Sequence, residues 1–198
     1  MPNGHKTKAL AFKADPDSFK EEGEIGAFSG YASVFGNVDS YGDIVEPGAF
    51  SRTMQNRIAA TGRPDFVILW NHDPHEPIGV TVEMAEDERG LRVTGQLNLG
   101  VQRARETYAL LKQGALSGLS IGYRTIKETV DATGIRHLKE LRLYEWSPVT
   151  FPANESALID TVKSEDLSPS APDAPGSGTD GDPDFLHSLK ALRDTLKN

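Results

Sequence analysis

The chain has 198 residues, 37% of them hydrophobic and 25% charged, with a formal net charge of −8, which suits one domain plus extensions. That acidic balance argues against a broad phosphate-binding face, which needs clustered Lys and Arg, so nucleic acid is not an expected partner. No apolar run approaches the roughly 18 residues that span a bilayer. The opening Met1-Pro2-Asn3-Gly4-His5-Lys6 lacks the apolar stretch of a secretion signal, and the absence of cysteine removes disulfides, thiolate metal sites and a cysteine nucleophile. The expectation is a cytoplasmic address with no membrane partner.

Residues 1–23 form a polar N-terminal extension without a clear period. From 24 to 163 the chain reads as one folded domain, mainly β with a few helices. Ile25 to Phe35 alternates loosely, and Gly36-Asn37 and Tyr41-Gly42-Asp43 are turn signals. Pro47-Gly48 leads into a short helix through Met54 and Ile58. Phe66 to Trp70 is a short, β-rich apolar run and reads as a buried strand. Ile78 to Met84 and Leu91 to Leu97 predict a hairpin around the polar loop Glu86 to Gly90. Val101, Ala104, Tyr108, Leu110 and Leu111 fall near a 3.6 period and predict a helix, with Gly114 as its C-cap.

Leu119 to Ile126 and Leu138 to Val149 then predict two strands around a turn containing Asp131-Ala132-Thr133-Gly134. A short helix is expected from about Glu155 to Val162, with Asn154 as its N-cap. Many short strands with few helices point to a closed or nearly closed antiparallel sheet with helices at its periphery. Residues 164–182 are rich in Pro, Gly, Ser and Asp and read as a disordered acidic linker. Residues 183–198 predict a short amphipathic helix, with Phe185, Leu189, Leu192 and Leu196 on one face.

The candidate chemistry lies in three separate runs. Gly114 to Tyr123 puts Ser117 and Ser120 among small and apolar residues where a predicted helix gives way to a strand, and backbone there can aim a hydroxyl. His72 follows the strand-like Val67 to Trp70, and an imidazole titrating near pH ~6.5 can take and return a proton at neutral pH. Glu145 lies between Tyr144 and Trp146 in an apolar run, where a charge must be paired, hydrogen-bonded or turned outward. One hydroxyl, one imidazole and one carboxylate are the parts of a serine hydrolase. Each also has a plainer reading, as a boundary serine, a loop histidine and a solvent-facing strand glutamate.

Asp73 is a rival carboxylate, but adjacent strand residues point to opposite faces, which disfavours its pairing with His72. His137 is a fallback third member. His72 and His75 could share a metal, though a lone His-x-x-His in a Pro-containing loop is weak support. The backbone N–H groups of Ala153 and Asn154, at the expected helix start, are candidate oxyanion donors.

Five ordered motifs then bear on identity. They are Gly-Tyr-Ala-Ser-Val-Phe-Gly-Asn-Val-Asp (30–39), Gly-Asp-Ile-Val-Glu-Pro-Gly-Ala-Phe (42–50), Trp-Asn-His-Asp (70–73), Leu-Ser-Ile-Gly-Tyr (119–123) and Glu-Trp-Ser-Pro-Val-Thr-Phe-Pro-Ala-Asn (145–154). Together they resemble the prohead maturation serine proteases of tailed bacteriophages, a family related in fold to the herpesvirus assembly proteases. The resemblance covers about residues 24 to 163.

It implies an antiparallel β-barrel ringed by a few helices. It also implies a serine endopeptidase, free of cofactor and metal, with His72 as general base, Ser120 as nucleophile and Glu145 orienting the histidine. Ser117 is the alternative nucleophile. The implied partners are the major capsid protein with its scaffolding segment and the enzyme itself as substrate, with a homo-oligomer as a further expectation. The implied setting is the immature capsid in the host cytoplasm. In that setting the linker would be a self-cleavage region and the terminal helix would recruit the enzyme to the assembling shell. A non-catalytic β-barrel that acts as a scaffold or capsid-binding module is the reading from another class.

Overall fold

The computed structural model describes residues 26–163. The N-terminal extension, the acidic linker and the terminal amphipathic helix expected from the sequence lie outside the described residues. Within them, eight strands and two helices follow the order β1 (Ala27–Val34), β2 (Asp43–Val45), α1 (Ser51–Thr61), β3 (Val67–Trp70), β4 (Asp73–Glu86), β5 (Gly90–Leu97), α2 (Gln102–Gln113), β6 (Gly118–Val130), β7 (Arg136–Val149) and β8 (Ile159–Lys163). The mainly β reading holds: α1 follows the Pro47-Gly48 turn as expected, and α2 and the β4–β5 hairpin stand where the hydrophobic periods put them.

One sheet orders its strands β2-β7-β3-β4-β5-β1-β8, with β6 also paired to β7. The expected antiparallel barrel needs correcting on two points. The sheet is mixed, because β2 and β3 both run parallel to β7. Its ladders also do not close it into a barrel: β6 meets the β8 side only through the isolated bridge Gly118–Leu158. The parallel pairs could not be read from the sequence, since a strand's own alternation says which face is buried and nothing of its neighbour's direction.

The core lies on one face of this sheet. Phe28 and Ala32 on β1, Ile68 on β3, Ile78 on β4, Leu91 and Val93 on β5, and Trp146 on β7 are all buried in it. α2 covers the core with Ala104, Thr107, Tyr108 and Leu111, and its C-terminus stops at Gly114, whose left-handed φ of 74° a side chain would resist. Val101, expected on the helix face, is instead the residue before the first turn and is partly exposed. α1 buries no residue of its own, but Glu86 accepts from the Phe50 amide, an orphan donor at the helix start, and from the Ser51 hydroxyl, which ties the helix to the end of β4.

The segment 155–162 is a second correction. Asn154 caps no helix. Its side-chain oxygen accepts from the Ser156 amide, and its carbonyl accepts from the Ala157 amide, which makes a turn. The chain then runs on as β8 against β1, pairing Phe28 with Val162 and Ser29 with Thr161. Ile159, Thr161 and Val162 are β-branched, and the unpaired edge of β1 offers them a ladder, so tertiary pairing overrides the local pattern.

β7 is the strand on which the others converge. β6 pairs along most of its length, β2 takes Arg136 to Leu138 on the other side, and β3 takes Glu145 and Trp146. Between those two, Leu141 donates its amide to the Ala49 carbonyl and Leu143 donates to the Thr53 hydroxyl. The buried Asp43 on β2 accepts a two-pronged contact from Arg136 at the start of β7, which fastens the parallel pair.

Trp146 anchors this strand in the core. Its side chain is fully buried, lies 5.4 Å from the Phe28 ring, and donates its indole N–H to the Thr81 hydroxyl at 2.8 Å; that hydroxyl in turn donates to the Phe66 carbonyl. Thr81→Val keeps the shape and leaves the indole N–H without its acceptor. It should lower unfolding free energy by about 1–3 kcal/mol, as measured by chemical denaturation. An unchanged midpoint would mean that the indole bond contributes nothing to holding β7.

Candidate active site

β3 and β4 are joined by only two residues, Asn71 and His72, with Trp70 paired to Asp73 across the turn. Both turn residues have positive φ, 50° and 65°. That is the backbone a tight two-residue hairpin demands, and it costs a bulky side chain roughly 1–2 kcal/mol. Asparagine tolerates it well; histidine does so less readily. The chain therefore holds His72 in a backbone conformation that its own side chain does not favour, a feature that clusters at functional positions.

The ring is held as well. His72 Nδ1 lies 2.7 Å from Glu145 Oε1, the other carboxylate oxygen accepts from the Ser147 hydroxyl at 2.7 Å, and the His72 amide donates to the same hydroxyl at 3.1 Å. Glu145 is buried, with its side chain 10% exposed, whereas the imidazole is 38% exposed. The outward-facing alternative for this glutamate is therefore set aside by its position. With Nδ1 committed to the carboxylate, Nε2 is the nitrogen left to face solvent or substrate.

Ser120 reaches the same place from β6. It pairs directly with Ser147, and Gly122 pairs with Glu145. Directly paired residues share a face and residues two apart on one strand share a face, so Ser120, Gly122, Glu145 and Ser147 all line one side of the β6–β7 ribbon. His72, Ser120, Glu145, Ala153 and Asn154 line a single open cavity of about 820 Å³. Among the described residues, the Ser120 hydroxyl has no hydrogen-bond partner. Ser117 is exposed and is not part of the cavity wall, and its carbonyl accepts from the Ile159 amide just ahead of β6.

The other sequence candidates lie elsewhere. Asp73 bonds the amide and ring of His75, not His72. His75 is 91% exposed on its side chain and held by that aspartate, so the two histidines of the His-x-x-His are tied to different carboxylates. His137 sits at the far end of β7, its Nδ1 2.6 Å from Glu46 and its Nε2 3.3 Å from Asp131. Ala153 and Asn154 lie in the loop after β7 rather than at a helix start, so the helix-end rationale for them as anion donors does not stand. The Asn154 side chain bonds the Val34 carbonyl and exchanges hydrogen bonds with Asn37.

One residue escaped the sequence reading, and a second was read only in part. Ser147 shares a face with Glu145 two positions back, a relation visible in Glu145-Trp146-Ser147 once that run is taken as strand. Gly122 stands opposite Glu145, and a Cβ there would come within 2.0 Å of Glu145 Oε1. The Ser-Ile-Gly run marks this glycine as room for a close backbone approach, and the structure puts the Glu145 carboxylate in that room instead.

A family model for the caudovirus prohead serine protease matches residues 13–170, and the chain belongs to that family. The prohead protease of Enterobacteria phage HK97 is 40% identical over 164 residues, spanning 80% of this chain and 70% of that protein. The prohead protease of Escherichia phage T5 is 31% identical over 151 residues, spanning 75% of this chain and 68% of that one. Among solved structures, the KSHV protease in complex with a hexapeptide phosphonate inhibitor superposes with a TM-score of 0.47 at 11% identity, over 69% of this chain and 64% of that chain.

The Glu46 and Asp131 carboxylates hold the His137 pKa above its ordinary 6.5. A histidine whose pKa is raised on folding stabilises the fold fully below its unfolded value and loses that contribution as pH rises through the folded one. The melting temperature of the wild type should therefore fall more between about pH 6 and about pH 8 than that of His137→Gln. Equal falls in the two proteins would remove the ring from the stability account.

Proposed function

We propose that this protein is a serine endopeptidase of prohead maturation that works inside the immature capsid in the host cytoplasm and cleaves the scaffolding segment of the capsid protein as well as itself. The observation that carries the reading is the 2.7 Å contact of His72 Nδ1 with a buried Glu145, in the same cavity as Ser120. Membership of the prohead protease family supplies the biological setting. The acidic segment 164–182 is the proposed self-cleavage region.

In this mechanism Glu145 keeps the proton of His72 on Nδ1, which leaves Nε2 as the base. As the Ser120 oxygen bonds to the scissile carbonyl carbon, its proton passes to Nε2 and the carbonyl π pair moves onto oxygen. The backbone N–H groups of Ala153 and Asn154, in the cavity wall, are the proposed donors to that oxyanion. Collapse breaks the C–N bond, and the proton on Nε2 leaves with the amine. Water then repeats the cycle on the acyl-enzyme and returns free Ser120. The buried carboxylate stabilises the imidazolium in both halves without itself taking a proton.

The test is mass spectrometry of the full chain as it ages, alone and co-expressed with its capsid protein. The wild type should shorten at a defined junction, and the capsid protein should lose its scaffolding segment. Ser120→Ala should slow both cleavages by roughly 10³-fold or more, and Glu145→Gln by roughly 10²–10⁴-fold, with folding intact. Ser117→Ala should cleave at the wild-type rate. Truncation that persists in Ser120→Ala, or stops in Ser117→Ala, would reassign the nucleophile. No truncation in any protein would favour the non-catalytic scaffold.

A further inference from the structure

Ser147 is fully buried, yet its hydroxyl faces the bonded His72–Glu145 pair in the cavity wall. A hydroxyl has one proton to give and lone pairs to receive with. Here the proton goes to Glu145 Oε2 and a lone pair receives the His72 amide. The imidazole is bound to the remaining carboxylate oxygen. The three groups thus form a closed ring: His72 ring to Glu145, Glu145 to Ser147, Ser147 to His72 backbone. From the other strand, Gly122 leaves the space that Glu145 Oε1 occupies.

We infer that Ser147, with Gly122 opposite Glu145, is a positioning residue for the proposed catalysis, and this rests on the protease reading above. The serine acts through Glu145 and His72 and does not touch substrate. It denies the carboxylate the freedom to rotate away from the imidazole. It also gives the left-handed amide of His72 a buried acceptor, so the strained turn holds one ring orientation. The same hydroxyl couples ring and backbone, and each bond is weaker without the other. A serine present only to fill space at this site would need neither bond.

Two measurements on the full chain test this. The first is the self-truncation rate in a double-mutant cycle. Ser147→Ala should slow truncation roughly ten- to a hundredfold in protein that circular dichroism shows to be still folded at the assay temperature, and in a Glu145→Gln background the same change should cost less than about threefold, because the group it serves is already gone. An equal loss in both backgrounds would mean that Ser147 acts independently of the carboxylate, which overturns the inference, as would a wild-type rate for Ser147→Ala.

The second measurement needs no turnover. In the Ser120→Ala chain, the proton on His72 Nδ1 should give a far-downfield NMR resonance, assigned by its disappearance in His72→Gln. Adding Ser147→Ala should move that resonance upfield or lose it to exchange; an unchanged resonance overturns the inference even if the protease reading stands. If Ser147→Ala fails to fold, Gly122→Ala applies the same tests from the opposite strand, since its Cβ displaces Glu145 Oε1. Full activity and an unshifted resonance in Gly122→Ala would be equally fatal.

Discussion

The placement of Trp146 governs this molecule. A strand alternates its side chains, so burying the largest aromatic of β7 in the core obliges both neighbours to turn the other way. Those neighbours are Glu145 and Ser147. The indole is fixed by packing against Phe28 and by its hydrogen bond to Thr81, so a slip of one residue would bury a carboxylate in the core and expose the indole. The polar wall of the cavity is therefore a consequence of core packing. The carboxylate that would be costly to bury alone sits at the boundary with both oxygens hydrogen-bonded.

The turn at Asn71-His72 shows the opposite relation between stability and site. Glycine would suit the second turn position better than histidine, and the fold accepts the local cost. What over-determines the strained residue is its surroundings, with the amide on Ser147 and the ring on Glu145. β3 lies beside β7 at Glu145 and Trp146, which brings the hairpin tip to the carboxylate. The β3–β7 pairing, one of two parallel pairs in a sheet otherwise built from antiparallel neighbours, is what lets the imidazole and its acid meet from residues 73 positions apart in sequence.

The five motifs quoted from the sequence supply the cavity: residues 30–39 and 42–50 bring Ala32, Asp39 and Val45 to its wall, and the other three bring His72, Ser120 and Glu145. The loop after β7 is where the local reading failed most visibly. Asn154 looked like a helix cap because it precedes a mixed polar and apolar run, yet the free edge of β1 drew that run into β8. Its side chain is spent instead on Val34 and Asn37, tying the loop to the end of β1.

The amino-acid sequence by itself determined the element types whose periods are strong: the 3.6 repeat of α2 with its glycine stop, the alternation of β1, β5 and β7, and the β4–β5 hairpin. It also determined the chemical inventory, with serine, histidine and glutamate on three separate elements and no cysteine to compete. Only the tertiary structure decided that Glu145 faces His72, that Ser120 rather than Ser117 shares their cavity, that β7 has parallel neighbours, and that Ser147 and Gly122 shape the carboxylate's place. The physical reason is one of range. Side-chain periodicity is a property of a few consecutive residues and records which face is buried, whereas the contacts of this site, the Glu145–Ser147 bond apart, join residues more than twenty positions apart and depend on which strand lies beside which.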